Sequence, residues 1–241
     1  MMKKNRQNNA ESSAPDEPPR KGAVTLTTAV YRELRADIVA GRLKPGARLR
    51  VEELCRRFTI ASSPVREALN RLVTEGFVRQ EEQKGFRVAP VSRDELEELV
   101  TARCWIDKAA VVEAISNGDT EWEEGLVLAL HRLSRISRWT ATEPRAPDPE
   151  WERLHREFHV ALVAGCGSRW IMRISAQLFD AAERYRLLAA AEIPERLELD
   201  EHRAIVEACV VRNAPLAADL IEAHYGKTFA VIMGSANAPD R

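Results

Sequence analysis

The sequence predicts a mainly α-helical protein, with an N-terminal winged helix-turn-helix followed by an all-helical antiparallel bundle. Residues 27–91 have the pattern of three helices and a hairpin, and from Ser92 apolar residues at helical spacing continue almost to the C-terminus. The composition, 45% hydrophobic and 30% charged over 241 residues, is typical of globular chains with room for two modest domains. The sequence therefore predicts three parts: residues 1–24, 25–91 and 92–236.

The first 24 residues are polar and rich in Asn, Ser, Pro and Lys, and we expect a disordered tail because they offer too little apolar surface for a core. They lack the apolar segment of a secretory signal, and no stretch of the chain approaches the roughly 20 apolar residues of a membrane helix. The cysteines are widely spaced and form no CxxC pair, which favours free thiols in a reducing cytoplasm. They are Cys55, Cys104, Cys166 and Cys209.

Caps, glycines and turn residues set the boundaries of the predicted elements. The winged helix consists of a helix from Thr27 to Gly41, a helix beginning near Arg50, a helix capped by Ser62 or Ser63 and ending at Gly76, and extended runs at 77–80 and 86–89 around a turn at 83–85. The bundle consists of helices near 93–116, 120–140, 149–165, 168–191, 195–212 and 214–233. Ser92 and Glu95 have the spacing of a capping box, and no strand is predicted after residue 92.

Charge is distributed unevenly along the chain. Residues 21–90 contain 14 Lys and Arg against 8 Asp and Glu, whereas residues 91–241 contain 18 against 26. A basic module on an acidic body indicates that only the N-terminal part meets a polyanion. The sequence therefore favours double-stranded DNA as the partner of the winged helix.

The first turn of the third helix is expected to read DNA, because a recognition helix places its N-terminal residues against base edges. Flanking cations on the second helix and the wing could bind phosphates. A solvated basic face is the alternative for any single arginine. The candidate DNA-binding residues are Arg48, Arg50, Arg56, Ser62, Ser63, Arg66, Arg71, Lys84 and Arg87.

Four of the five histidines lie on predicted bundle helices with apolar neighbours. His155 and His159 are four residues apart and share one helix face, while His202 and His224 lie on later helices. If these helices pack around a common centre, the four imidazoles converge on a metal site. Satisfied core histidines are the alternative that spacing leaves open.

Several runs resemble a known family. "LKPGARLRVEELCRRF", "SSPVREALNRLVTEGFV" and "KGFRVAPVS" resemble the N-terminal domain of the GntR family of transcription regulators over residues 26–92. "HREFHVALVAGCGS", "ERYRLLA" and "DEHRAIVEACVVRNAPLAADLIEAHY" resemble the FCD ligand-binding domain of its FadR-like branch over residues 95–233. Ser62 stands where members usually carry an operator-reading Arg, so the family operator is not carried over.

The resemblance implies a metal site and an effector cavity. His159, His202 and His224 match the three histidines of metal-binding members, and His155 stands where those members carry Asp or Asn. Because an imidazole replaces a carboxylate, we expect a nitrogen-preferring transition metal, zinc first and nickel second. Arg103 matches a residue that lines the effector cavity and can hold a carboxylate, although a surface i, i+4 ion pair with Asp107 is the alternative.

The run Arg184, Tyr185, Arg186 contains weaker candidates for effector binding, and we predict this role for Arg184 and Tyr185. Not all three can face one cavity, because adjacent helical residues point in different directions.

Two other functions, a zinc hydrolase and a module that binds RNA or protein, are alternatives to a regulator. A zinc hydrolase built on His155 and His159 needs a glutamate directly after the first histidine, but Glu157 comes two residues later. A basic module for RNA or protein is the second alternative, and residues 25–90 lack the aromatic platform of RNA binders. We therefore predict a regulator and not an enzyme.

The expected mechanism combines these parts. A homodimer is expected because palindromic half-sites require two-fold protein symmetry. A small organic acid, such as a hydroxy acid, a dicarboxylate or a sugar acid, would bind the helical domain and release the protein from its operator. This describes a repressor, with activation as the alternative.

Overall fold

The computed structural model describes residues 25–81, 84–141, 146–190, 198–235 and 239. Its N-terminal part is a winged helix. The helices are α1 (Leu26–Val39), α2 (Val51–Phe58) and α3 (Ser62–Thr74), and the strands are β1 (Arg48–Leu49), β2 (Val78–Glu81) and β3 (Gly85–Val88). The strands form an antiparallel sheet in the order β1–β3–β2. The predicted tail and residue 83 of the predicted turn lie outside the described residues.

Apolar residues at helical spacing build the core of this domain. Leu34 and Ile38 of α1 are fully buried, as are Leu69 and Leu72 of α3. Thr25 caps α1 by accepting a hydrogen bond from the backbone N–H of Thr28 at 3.2 Å. Because Leu69 and Leu72 pack one side of α3 against this core, the opposite side of the helix remains exposed.

Two local features differ from the sequence prediction. The residue that caps α3 is Ala61, whose side chain makes no capping bond, so the predicted serine cap is wrong. Ser62 and Ser63 are instead the first helical residues and are exposed. Strand β1 was not predicted, because it is only two residues long and exists through its pairing with Arg87 and Phe86 of β3.

The rest of the described chain is the predicted helical bundle. Its helices are α4 (Arg93–Asn117), α5 (Thr120–Ser134), α6 (Pro149–Val163), α7 (Arg169–Ala189), α8 (Glu198–Val210) and α9 (Ala214–Met233). Phe158 and Leu126 are fully buried, and Leu162, Ile205 and Ile221 are nearly so. The described helices and the small sheet confirm the predicted fold class.

The segment after α5 differs from the prediction, which extended this helix to residue 140. The helix ends at Ser134, and Trp139 forms an isolated antiparallel bridge with Pro147. The Ser137 hydroxyl donates to the carbonyl of Trp139 at 3.0 Å, a local bond that competes with continued helix. The first residues of the predicted helix 195–212 lie outside the described residues.

Helix α7 contacts the N-terminal domain as well as the bundle. The Tyr185 hydroxyl accepts from the backbone N–H of Ser92 at 3.4 Å and donates to the Glu95 carboxylate at 2.6 Å. Ser92 caps α4 as predicted, accepting from Glu95 N–H at 3.1 Å. The predicted capping box is nevertheless incomplete, because Tyr185 takes the place of the Glu95 carboxylate at Ser92. Arg184 donates to the carbonyl oxygen of Ala89.

The four cysteines are free thiols. Every helix in the described ranges is too short or too polar to cross a bilayer.

Asp37 supplies a test of the winged-helix packing. Burial acts to raise the pKa of Asp37, but hydrogen bonds from Arg42 and Arg57, both 2.6 Å from its oxygens, outweigh burial and lower it. We expect Asp37→Asn to lower the free energy of unfolding at pH 7 by about 1–2 kcal/mol, because two charge-assisted bonds are weakened.

Because the folded-state pKa of Asp37 is lowered, the stabilisation is present above the ordinary carboxyl pKa of about 4 and is lost as pH falls through the folded-state value. Denaturation followed by circular dichroism at pH 7 and pH 3 should show the two proteins converging in acid. An equal difference at both pH values would contradict this account.

Candidate nucleic-acid interface and metal centre

The exposed face of α3 carries the predicted DNA-reading residues. Ser62, Ser63 and Arg66 are exposed at its N-terminal end, and Asn70 follows on the same open surface. Val65, buried between them, keeps this face turned outward. The helix therefore presents short hydroxyls and one guanidinium to any duplex that approaches.

The other predicted DNA-binding cations fall into two groups. Arg50 pairs with Glu53 at 2.9 Å, and Arg87 with Glu81 at 3.2 Å. The Arg71 guanidinium stacks 4.0 Å above the ring centre of Tyr31. In the part of the chain that the structure describes, the remaining candidates form no ion pair with another described residue, and they are the cations best placed for phosphates. They are Arg48, Arg56, Arg66 and Lys84.

The four predicted metal-binding histidines meet in the bundle. His155 and His159 come from α6, His202 from α8 and His224 from α9, and all are buried. One nitrogen of each lies within 4.8 Å of the others, and the Nε2 atoms of His155 and His159 are 3.2 Å apart. Nitrogens on a tetrahedral zinc would be about 3.4 Å apart, so small movements would bring this set to a metal.

Burial and charge keep the imidazoles of His155 and His159 in the neutral form that binds metal. Burial, and next the neighbouring histidines, hold the pKa values of His155 and His159 well below their ordinary range. Neutral imidazole has a free lone pair, which the protonated ring lacks. The Nδ1 atom of His155 is buried without a hydrogen-bond partner among the described residues. This donor set fits a transition metal.

Groups outside the cluster orient its rings. Glu201 lies 2.7 Å from Nδ1 of His224 and so directs the other ring nitrogen towards the centre. Trp151 stacks on His155 with ring centres 4.6 Å apart. Phe179 of α7 contacts both His155 and His159, at 5.6 and 5.1 Å between ring centres.

Arg103 shares a cavity with the histidines. The cavity is lined by Arg103, His155, His159, His224 and Tyr225, among others. The Arg103 guanidinium lies 4.0 Å from the ring centre of Tyr225, and its buried Nε has no hydrogen-bond partner among the described residues. Arg103 and Asp107 do form the i, i+4 ion pair named as the alternative, at 3.8 Å between Nε and Oδ2, but both side chains are buried, so the pair does not lie at the surface. The Tyr225 hydroxyl donates to Asp107 at 2.6 Å.

Two predicted effector residues lie elsewhere. Arg184 and Tyr185 face the junction with the N-terminal domain, while Arg186 lines the cavity. The physical reason is helical rotation of about 100° per residue, which separates neighbours in this run. Arg186 pairs with Glu152 of α6, and burial, against the charge of Arg186, raises the pKa of nearby Glu183 to about 7.

Sequence reasoning missed the roles of Glu201, Trp151 and Phe179. Glu201 directly precedes His202 in sequence, but its carboxylate contacts His224. This contact depends on how α8 packs on α9. The aromatic residues have the helical spacing of ordinary core positions, so no sequence signal distinguishes them.

The geometry of α6 also argues against a zinc hydrolase. Glu157 is exposed and pairs with Arg153 on the outer face of α6, away from the histidines. The structure therefore offers no support for Glu157 as a general base at the cluster.

A winged helix joined to a helical bundle with a buried cavity defines the class of DNA-binding transcriptional regulators. Residues 26–88 match the family described as bacterial regulatory proteins, gntR family, and residues 98–227 match the FCD domain. The chain belongs to the GntR family and carries an FCD domain.

Named relatives agree with this assignment. The chain is 36% identical over 209 residues to the uncharacterized HTH-type transcriptional regulator BphR of Paraburkholderia xenovorans (strain LB400), covering 86% of this chain and 85% of that protein. It is 35% identical over 199 residues to the HTH-type transcriptional repressor GlaR of Escherichia coli (strain K12), covering 80% and 90%.

Solved structures share the fold. E. coli McbR/YncC superposes with a TM-score of 0.71 at 23% identity, covering 87% of this chain and 98% of that chain. A GntR transcriptional regulator from Rhodococcus sp. RHA1 has a TM-score of 0.67 at 24% identity, covering 86% and 97%.

The exposed guanidinium of Arg66 leads to a test of DNA reading. We expect Arg66→Ala to weaken binding to the duplex upstream of the protein's own gene by about 1–3 kcal/mol, because a bidentate base contact is lost. Fluorescence anisotropy at fixed salt measures this. Arg153→Ala, which removes an exposed arginine of the helical domain, is the control, and equal losses in both variants would refute the assignment.

Proposed function

We propose that this protein is a homodimeric transcriptional repressor whose helical domain binds a divalent transition metal and a small carboxylate effector. The observation that carries the proposal is the convergence of four buried histidine nitrogens beside Arg103. Zinc is the first expectation and nickel the second, since an all-imidazole set favours both over manganese or calcium.

The histidines would hold the metal, and Glu201 would orient His224 towards it. The metal, when bound, supplies positive charge that attracts an anionic ligand. In a cavity lined by imidazoles and aromatic rings, this charge compensates the cost of burying polar groups. The pairing of a histidine cluster with a cationic side chain therefore favours an effector that carries a carboxylate.

Arg103 is placed to bind that carboxylate directly. It is buried at the cavity wall, stacked on Tyr225, and its Nε makes no hydrogen bond with a described residue. Nε of Arg103 lies 3.8 Å from Oδ2 of Asp107, the oxygen that accepts from the Tyr225 hydroxyl, so Arg103 can donate to a ligand while Asp107 keeps that hydrogen bond. Arg186 is a second cation on the same wall, although Glu152 already pairs with it.

Exposed apolar side chains on two neighbouring helices support the homodimer. Trp105 on α4 and Trp170 on α7 are 73% and 70% exposed, and Ile174 is a further exposed apolar residue of α7. The two helices pack against each other, with Arg103 of α4 over the ring of Phe179 of α7. Exposed apolar surface of this kind is typical of an interaction site. A second copy is the occupant that a palindromic operator requires.

Repression follows if the effector binds one arrangement of the helical domain more tightly than another. The relatives described as repressors, GlaR and the gluconate operon transcriptional repressor of Bacillus licheniformis, support this direction over activation.

Metal content tests the histidine cluster. We expect protein purified without chelator to contain about one zinc or nickel per chain, and His159→Ala to lose it, because a four-nitrogen site is reduced to three. Elemental analysis measures this. Chelation should lower the melting temperature of the wild type but not that of His159→Ala.

His131→Ala is the matched control, since His131 is exposed and lies outside the cluster. It should retain both the metal and the response to chelator. Wild-type protein without bound transition metal, whose melting temperature does not change on zinc addition, would contradict the metal site.

Arg103 provides the test of effector binding. A thermal-shift screen of metal-loaded protein against organic acids should find an acid that raises the melting temperature by mass action. Arg103→Ala should abolish that rise while DNA binding and metal content persist. Arg153→Ala, which removes an exposed arginine of α6, should keep it, and a full response in Arg103→Ala would show that this guanidinium does not hold the acid.

A further inference from the structure

Asp180 of α7 connects three helices at the junction of the two domains. Arg156 of α6 donates from Nε and Nη2 to the two oxygens of Asp180, at 2.9 and 3.0 Å. Arg35 of α1, in the N-terminal domain, pairs with the same carboxylate. The Asp180 side chain is only 14% exposed, so water screens these ion pairs less than it screens surface pairs.

The connection continues from Arg35 to the end of the recognition helix. Arg35 lies 3.9 Å from Glu75, which is the C-terminal cap of α3. The Tyr31 hydroxyl of α1 lies 2.8 and 2.7 Å from the two oxygens of Glu75 and donates its single proton to this carboxylate. Burial, with this hydrogen bond, raises the pKa of Tyr31 to about 12, so the phenol remains a donor at neutral pH. One chain of polar contacts therefore reaches α3.

At its other end, the connection begins beside the histidine cluster. Arg156 directly follows His155, and Asp180 directly follows Phe179, whose ring contacts His155 and His159. Adjacent helical residues point to different sides, so α6 and α7 each present one face to the cavity and another to the junction. The second polar contact at the junction, between Arg184 and Ala89, ends on backbone and does not involve α3.

We propose that Asp180 is a positioning residue for DNA binding, through which α6 and α7 set the position of the recognition helix. Arg156 holds the Asp180 carboxylate, the carboxylate holds Arg35, and Arg35 with Tyr31 holds Glu75. A shift of α6 or α7 on filling of the cavity is thereby transmitted to α3. The filling of the cavity that would start this movement rests on the proposed function, whereas the connection of α6 and α7 to α3 through Asp180 does not.

The connection can be tested on the full-length, metal-stripped protein by hydrogen exchange. We expect Arg156→Gln and Asp180→Asn to speed exchange at the α3 C-terminus, residues 72–77, by roughly two- to fivefold, as loss of a partly buried ion pair implies. Exchange in α8 and α9 should not change, which distinguishes positioning from general destabilisation. The Arg156→Gln/Asp180→Asn double variant should not exceed Asp180→Asn, because loss of the Asp180 carboxylate already breaks its pairing with Arg156 as well as that with Arg35.

Arg153→Gln is the matched control, because Arg153 is an exposed arginine of the same helix and pairs only with Glu150 and Glu157 among the described residues. It should leave exchange at residues 72–77 unchanged. If Asp180→Asn fails to fold, Arg156→Gln decides the question, since the Arg156 side chain is 39% exposed and its loss opens no core. Unchanged exchange at the α3 end in Arg156→Gln would overturn the proposal.

Adding zinc to the stripped protein tests the stimulus. Zinc should alter exchange at residues 72–77 in the wild type and in Arg153→Gln, and this change should disappear in Arg156→Gln although zinc stoichiometry stays the same. Equal zinc responses in Arg156→Gln and the wild type would also overturn transmission through Asp180. Failure of the wild type to bind zinc would contradict the proposed metal site instead, and the metal-free comparison would still decide on the connection.

Discussion

Helix α7 packs against both halves of the molecule, and the arrangement of the cavity and the DNA-binding domain depends on this double contact. One face buries Phe179 against the histidines and places Arg186 at the cavity wall. The opposite face supplies Arg184 and Tyr185 to the linker, so the same 21-residue helix lines the ligand site and supports the winged helix. A rigid helix that contacts both sites can respond to one and reposition the other, provided that two arrangements exist.

The histidine cluster makes physical sense as a site that a cation completes. Four imidazoles are buried together, and burial disfavours their charged form, as the lowered pKa values of His155 and His159 indicate. Buried imidazoles lose hydrogen bonds with water, and the Nδ1 atom of His155 finds no partner among the described residues. A metal ion would compensate this loss, and Glu201 outside the cluster has the orienting role common around bound metals.

The DNA-binding face is simpler, because its requirements are exposure and positive charge. The apolar residues of α3 bury one side of the helix and leave Ser62, Ser63 and Arg66 on the other. Arg50 and Arg87 form ion pairs within the domain. Arg66, like the other candidate cations that form no ion pair with a described residue, remains available to phosphates or bases. The net charge of the domain indicates a polyanion, but only the local pairing shows which cations can meet it.

Sequence alone determined the class of fold and most helix boundaries, because apolar periodicity and caps are local: Ser92 caps α4 at its predicted place, and α9 spans the predicted residues 214–233. It also singled out the four histidines and Arg103 as candidates from their spacing and family resemblance, and the structure places them around one cavity or beside it. Tertiary structure decided the rest, because helix rotation and packing are non-local. Packing directed Tyr185 towards the start of α4, where its hydroxyl accepts from the backbone N–H of Ser92, and directed Arg186 towards the cavity. It also brought Glu201 to His224 and joined Arg156, Asp180 and Arg35, although residues 35 and 180 are 145 positions apart in sequence. No local pattern encodes such contacts, since each depends on which faces of distant helices meet.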